Sequence, residues 1–341
     1  MPIPFKTANE ADLRQALHRA MLEPLPEQHD DPDLQSYYAL MRDYPERGGK
    51  LLRGQLLLLS TAAHGASWQT GLEVAAALEL FQNWVLIHDD IEDGSDERRN
   101  QPALHRSVGV PLALNAGDGL HVQMWKCLHQ LRAVPATQHQ AIIAHMLETI
   151  ERTAEGQHLD LCWVQQGRFD ISEEAYLAMV TLKTAYYTVI APLHLGALCA
   201  GATPDPRFVA AGKALGVAFQ IRDDVLNLMP DISYGKEFAG DLYEAKRTLI
   251  LAHFFRLAEA AERETMIAHL GKARDAKSSE DIDTMLALLQ RYGCLDYAQA
   301  VAEARAAQGL ALLQEALATL PNSTAVADML LLLETLTQRR Y

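Results

Sequence analysis

The stretch from Leu78 to Asp93 constrains this chain more than any other. It begins as an apolar helical pattern and ends in Asp89-Asp90-Ile91-Glu92-Asp93, an ending that burial of a core does not ask for. At about 100° per residue, Asp89 and Asp93 fall about 40° apart on one helix face and ~6 Å apart along its axis. Val85 and then Phe81 lie back along the same face, so an apolar wall opens into a pair of acids. Paired carboxylates repel each other unless a cation sits between them. Hard divalent ions with oxygen ligands, Mg²⁺ above all, suit that arrangement, with phosphate oxygens completing the shell.

A lone acidic run is more often a solvated helix end. A second one makes coincidence the weaker reading. Phe219-Gln220-Ile221-Arg222 leads into Asp223-Asp224-Val225-Leu226-Asn227, again an apolar run, two aspartates and an oxygen ligand at i+4 from the first. Two such elements facing one another would enclose an acidic-walled cavity. Ala, Leu, Glu and Gln are abundant and alternating Val/Ile/Thr runs are scarce, so the class is all-α. Residues 8–22 read as an amphipathic helix, and a second helix is expected to run to about Arg42. No Ser/Gly-rich linker or shift in composition divides the 341 residues, which favours one domain over 1–341.

Several separated elements carry anion chemistry. Gly48-Gly49-Lys50-Leu51-Leu52-Arg53 places two glycines at a helix opening, where backbone N–H groups and the helix dipole favour an anion. Lys50 and Arg53 share one side of its first turn. Arg98-Arg99 offers two guanidinium forks in a loop. Gln157 and Asp160, at i and i+3, interrupt an apolar helical face. Lys183-Thr184 sits inside an apolar helix that Pro192 should terminate or kink, and burying an ammonium there demands a partner.

The net charge of −14 argues against nucleic acid, which needs a basic footprint. It does not exclude a diphosphate, because metal ions and a few cations can reverse the sign within one cavity. No apolar run reaches the ~18 residues of a membrane span. Without a signal pattern at the N-terminus, and with Cys127, Cys162, Cys199 and Cys294 scattered, a reducing cytoplasm is expected.

In this order, from about residue 47 to about residue 253, the motifs resemble those of the trans-isoprenyl diphosphate synthases, the polyprenyl synthetase family. The resemblance implies a single large antiparallel helix bundle around a central cavity, the isoprenoid synthase fold, and a homodimer. It implies condensation of isopentenyl diphosphate with an allylic diphosphate to a short-chain all-trans product. The expected cofactor is Mg²⁺, three ions per site with Mn²⁺ as a substitute, held by Asp89, Asp93 and Asp223. Asp90, Lys183 and Asp224 join these acids as catalytic candidates. By the same resemblance Lys50, Arg53, Gln82 and Arg99 hold isopentenyl diphosphate. Arg98, Gln157, Asp160, Lys183, Thr184, Gln220, Lys236 and Lys246 face the allylic diphosphate. Three positions depart from the family pattern: Gly54 for a proline, Asn100 for a glycine and Asn227 for a third aspartate.

The family places its chain-length residue fifth before the first acidic motif, here Trp84, with Phe81 and Val85 nearby. The helical wheel sets Trp84 about 140° from Asp89, off the main face. An aromatic at that position, Val85 after it and no insertion in the motif resemble geranylgeranyl-type enzymes, with farnesyl the next choice. Two rivals remain. One is a class I terpene cyclase, suggested distantly by Asp223 to Asp231, although a cyclase has no second diphosphate to hold. The other is a non-catalytic subunit of a heteromeric prenyltransferase, kept open by Asn227.

Overall fold

The computed structural model describes residues 5–7, 10–229 and 237–338. Four helices come first: α1 (Glu10–Leu22), α2 (Pro32–Glu46), α3 (Leu52–Ala63) and α4 (Leu72–Asp93). A short antiparallel ribbon, β1 (Glu97–Arg98) and β2 (Gln101–Pro102), precedes α5 (Leu104–Val108), α6 (Val110–His129) and α7 (His139–Gln165). Then α8 (Glu173–Val180) continues through π-helical winding over Thr181–Ile190 into α9 (Ala191–Cys199). The chain ends with α10 (Arg207–Asn227), α11 (Gly240–Tyr243), α12 (Leu249–Leu257), α13 (Ala260–Leu270), α14 (Ser279–Arg291), α15 (Cys294–Leu317) and α16 (Ser323–Gln338). Among the described residues no helix is long and apolar enough to cross a membrane.

Two helices carry the acids, and both are buried on nearly every side. Val74 to Asn83 of α4 form an unbroken buried run. The small side chains of Ala75, Ala76 and Ala77 let α1, α3 and α6 close around it. α10 runs between two apolar cores. Leu215 and Phe219 belong to one, Val217 and Ile221 to the other. A helix apolar all round is one enclosed by protein. Its N-terminal half meets α15 and the π-helical segment, and its last turn delivers Asp223 and Asp224.

Three local expectations change. α2 does not stop near Arg42: it runs through Pro45 to Glu46, and Arg47 N donates to Asp43 O at 3.1 Å beyond the proline. Tyr44, fully buried and bonded to Asp90, holds that last turn in place. The glycines before Lys50 do not open a helix. Gly48 and Gly49 take positive φ, Leu51 is left-handed, and α3 begins at Leu52. Pro192 ends nothing either. A proline removes one donor and crowds the carbonyl four residues back. Ten residues of wider winding lead into it, and the helix goes on.

That wide segment is gripped by glycines. A Cβ on Gly156 of α7 would lie 2.2 Å from the backbone N of Lys183, and one on Gly216 of α10 would lie 2.4 Å from Ala185 Cα. Backbone therefore meets backbone, which brings Asp160 within reach of Lys183. Gly156→Ala is expected to destabilise the fold by about 3 kcal/mol, because rigid main chain rather than a flexible side chain must move. Urea unfolding measures this; a change under about 0.5 kcal/mol would show that the two helices separate freely.

Candidate active site

The last turns of α4 and α10 open on one cavity of about 390 Å³. Asp89 and Asp223, the first aspartate of each pair, line it together with Asp224. Each second aspartate is anchored by a buried tyrosine. Asp90 is fully buried outside the lining, where Tyr44 donates its hydroxyl and Arg98 Nε donates to both carboxylate oxygens at 3.0 Å. Asp224 accepts from Tyr176 Oη at 2.7 Å and from Gln220 Nε2 at 2.8 Å, and Gln220 in turn accepts from Thr184 Oγ1 at 2.8 Å. Burial pushes the Asp224 carboxyl up to about 6. The expected catalytic place for Asp90 is therefore not in the cavity: one turn position on, its side chain points into the α2 packing.

Half-buried cations counter the acids. Lys183 Nζ stands 2.6 Å from Asp160 Oδ2 and 3.5 Å from Asp89 Oδ1. Burial alone would depress this lysine, but Asp160 and Asp89 more than offset it and keep the ammonium charged above the ordinary lysine range. Lys246 Nζ lies 2.6 Å from Asp93 Oδ2 and 3.1 Å from Glu244 Oε2. Asp93 is not in the cavity lining, and burial raises its carboxyl to about 7 despite Lys246. Gln157 Nε2 donates to Asp89 Oδ1 at 3.2 Å and to Glu92 Oε2 at 2.6 Å.

The paired arginines serve two places because they sit on a tight ribbon turn. Arg99 and Asn100 have φ of 57° and 60°, the left-handed region that Asn tolerates well, so Asn replaces the usual glycine without loss of the turn. Arg98 turns to Asp90, with Nη2 3.7 Å from Asp89 Oδ2, while Arg99 turns to Tyr44 O and packs its guanidinium on Gly49. Lys50, Arg53, Gln82 and Arg99 all line the cavity. Arg53 Nη2 donates to Thr188 Oγ1 at 2.9 Å, its guanidinium lies 4.3 Å over the Tyr187 ring, and its Nε has no hydrogen-bond partner among the described residues.

Of the chain-length candidates only Val85 reaches the lining, beside Leu86, Met179, Val180, Tyr187 and Phe219. Phe81 stacks edge-on behind Tyr187 at 5.8 Å. Trp84 faces α6, with its ring stacked 4.0 Å from His121. The wheel angle, not the family position, describes where Trp84 goes. Lys236 lies outside the described residues.

The donor set suits a hard divalent ion. Oxygen ligands from Asp89 and Asp223 share one cavity, yet among the described residues no three His, Cys, Asp or Glu side chains stand together as a cage. Mg²⁺ is typically bound in that way, through one or two carboxylates plus substrate phosphates.

The family model for polyprenyl synthetase matches residues 34–289. This chain belongs to the polyprenyl synthetase family. The match extends beyond the motifs on both sides. A short chain isoprenyl diphosphate synthase of Methanothermobacter thermautotrophicus is 35% identical over 260 residues, 75% of this chain and 77% of that protein. A geranylgeranyl diphosphate synthase of Sulfolobus acidocaldarius shows the same identity and coverage. The crystal structure of geranylgeranyl pyrophosphate synthase from Corynebacterium glutamicum, complexed with isoprenyl diphosphate and magnesium, is 28% identical. It superposes with a TM-score of 0.85, covering 97% of this chain and 98% of that one. The all-α isoprenoid synthase fold follows.

Some site residues escaped sequence reading. Tyr44 and Tyr176 lack any motif. Glu79 left a signal, a charge inside the apolar run Leu78-Glu79-Leu80. It is buried in the cavity wall and accepts the Gly54 N–H at 2.8 Å, a bond that the usual proline could not make. Burial raises the Glu79 carboxyl, opposed by that N–H and by Arg53 and Arg99. A raised acid binds its proton more tightly folded than unfolded, so its contribution to stability declines as pH rises through the raised value. Glu79→Gln removes that decline. Relative to wild type, its melting temperature is expected to improve from pH 5 to pH 8.5; a constant difference would contradict this.

Proposed function

We propose that this member of the family condenses isopentenyl diphosphate with an allylic diphosphate to a short-chain all-trans prenyl diphosphate, geranylgeranyl first and farnesyl next. The observation that carries the reading is that Asp89 and Asp223 share a cavity whose remaining wall holds a separate set of cations, Lys50, Arg53 and Arg99. The names of the relatives support the product class.

In this reading Asp89 and Asp223 of the cavity lining, together with Asp93, which here pairs with Lys246, would hold Mg²⁺, three ions per site with Mn²⁺ able to substitute, and the metal would supply charge neutralisation for a departing diphosphate. Lys183, Lys246 and Arg98 face the same leaving group, with Lys236 a further candidate. Gln157, Asp160, Thr184 and Gln220 fix those cations and acids in place. Lys50, Arg53, Gln82 and Arg99 hold isopentenyl diphosphate. The allylic C–O bond breaks, the isopentenyl double bond forms the new C–C bond, and the proton lost passes to the released pyrophosphate. No nucleophilic side chain is needed. Val85, Leu86, Met179, Val180, Tyr187 and Phe219 exclude the water that would trap the cation.

The second cation set speaks against a terpene cyclase. Asn227 fits an active enzyme rather than a silent subunit: its Oδ1 accepts the Asp241 N–H at 3.0 Å and its Nδ2 reaches Glu237 O at 3.4 Å, so the amide holds the following loop. A homodimer is part of the proposal. α6 leaves Leu112 54% and Val122 53% exposed, and Val110 and Leu114 are exposed as well, apolar surface that a second copy would cover. A cytoplasmic setting fits the four free cysteines.

The purified chain, given Mg²⁺, labelled isopentenyl diphosphate and each allylic primer in turn, is expected to deliver label to geranylgeranyl diphosphate. Asp89→Asn or Asp223→Asn should lower kcat on the order of 10³-fold. No product with any primer would favour the subunit reading, and hydrocarbon from geranylgeranyl diphosphate alone the cyclase. Within the same assay Val85→Phe should shorten the product while Trp84→Ala leaves its length unchanged. Longer products from Trp84→Ala would return the floor of the tunnel to Trp84.

A further inference from the structure

The loops that follow the two acidic helices are tied together by a residue far from either motif. α4 closes at Gly94 in the left-handed region, and Ser95 and Asp96 follow. Beyond α10, Glu237 to Lys246 return past the cavity mouth. Arg274 begins a single helical turn, Arg274–Ala276, between α13 and α14. Its Nη2 lies 3.3 Å from Asp96 Oδ2 and also pairs with Glu237, while Nη1 lies 3.3 Å from Glu244 Oε1. Only 14% of the side chain is exposed. Lys277, on the same turn, donates to Tyr243 O at 2.7 Å and backs the loop from behind.

Glu244 is the pivot of this arrangement. Its Oε1 accepts from Ser95 Oγ at 2.9 Å and faces Arg274, and its Oε2 holds Lys246. Lys246 thus stands between two acids, Asp93 and Glu244, and must turn from them toward a diphosphate when one arrives. If Lys246 were the sole cation at Glu244, leaving would strand a nearly buried carboxylate, which is strongly unfavourable. Arg274 and Ser95 keep that carboxylate satisfied after the lysine moves.

We propose that Arg274 is a positioning residue for Lys246: by sharing Glu244 and bridging Asp96 to Glu237, it leaves the Lys246 ammonium available to the allylic diphosphate. The inference rests on the reading that Lys246 faces that substrate. Arg274 pairs with Asp96, Glu237 and Glu244, none of which is assigned to isopentenyl diphosphate, so the two substrates should respond differently.

The test compares the full-length wild type with Arg274→Ala, Arg274→Lys, Glu244→Ala and Arg274→Ala/Glu244→Ala. The readouts are steady-state constants for each substrate and calorimetric binding of an unreactive allylic thiolodiphosphate. For Arg274→Ala the allylic KM should rise, and the analogue's affinity fall, by about tenfold, the scale of a lost charge-assisted bond, with the isopentenyl diphosphate KM within about twofold. Arg274→Lys should recover part of the loss, having the charge without the fork. Adding Glu244→Ala to Arg274→Ala should restore binding toward wild type, because the carboxylate that captures Lys246 is gone. Equal changes in both KM values, or a double variant whose losses add, would overturn the proposal and leave Arg274 a structural tie. Should Arg274→Ala not fold, Arg274→Lys carries the test: unchanged allylic binding in it and in Glu244→Ala overturns the proposal equally. Wild type inert with every primer would defeat the prenyltransferase reading itself, whereas an active wild type matched by Arg274→Ala defeats only this inference.

Discussion

Carboxylates that share one cavity repel, and nearly every feature of this site follows from that repulsion. The chain brings Asp89, Asp160, Asp223, Asp224 and Asp241 to the lining of a single cavity. Such charges stay ionised in low dielectric only beside cations or strong donors. Lys183 and Lys246 supply the first and the tyrosines the second. The division of labour within each aspartate pair is the economical solution. One member is tied into the wall by Tyr44 or Tyr176, and the other is left toward the cavity, where an arriving cation–diphosphate complex would relieve the remaining charge.

Holding those groups within reach of each other requires helices closer together than ordinary side chains allow. Gly156 and Gly216 supply the approach on either side of Lys183 and Ala185. The π-helical winding of 181–190 then turns Lys183, Thr184 and Tyr187 toward the same space. Widened turns of this kind recur at functional sites, since they re-aim side chains at the expense of regular hydrogen bonding. The apolar floor is continuous with the core, so the site is as rigid as the packing behind it.

Much of this was legible in the chain. The apolar runs that terminate in paired aspartates mark α4 and α10, and the separate cationic elements, Lys50, Arg53 and Arg99, line the same cavity. What stayed hidden has physical reasons. A π-helical stretch shares its composition with an α-helix, so Pro192 reads as a stop when the structure winds around it. Tyr44 next to Pro45 suggests a helix end by local sterics, but its bond to Asp90 is long-range and outweighs them. Trp84 shows two sequence cues in conflict; the wheel angle described the stacking on His121, and position relative to the motif did not. Arg274 meets Asp96 across the fold, a contact that no local pattern encodes.

The central claim is that the acids of α4 and α10 act on one diphosphate through shared divalent ions. The most direct measurement is an anomalous difference map from crystals grown with Mn²⁺ and an unreactive allylic diphosphate. The account requires metal peaks within coordination distance of carboxylate oxygens of Asp89 and of Asp223, with the same diphosphate between them. Peaks on one helix alone, or a diphosphate bound away from both, would contradict it.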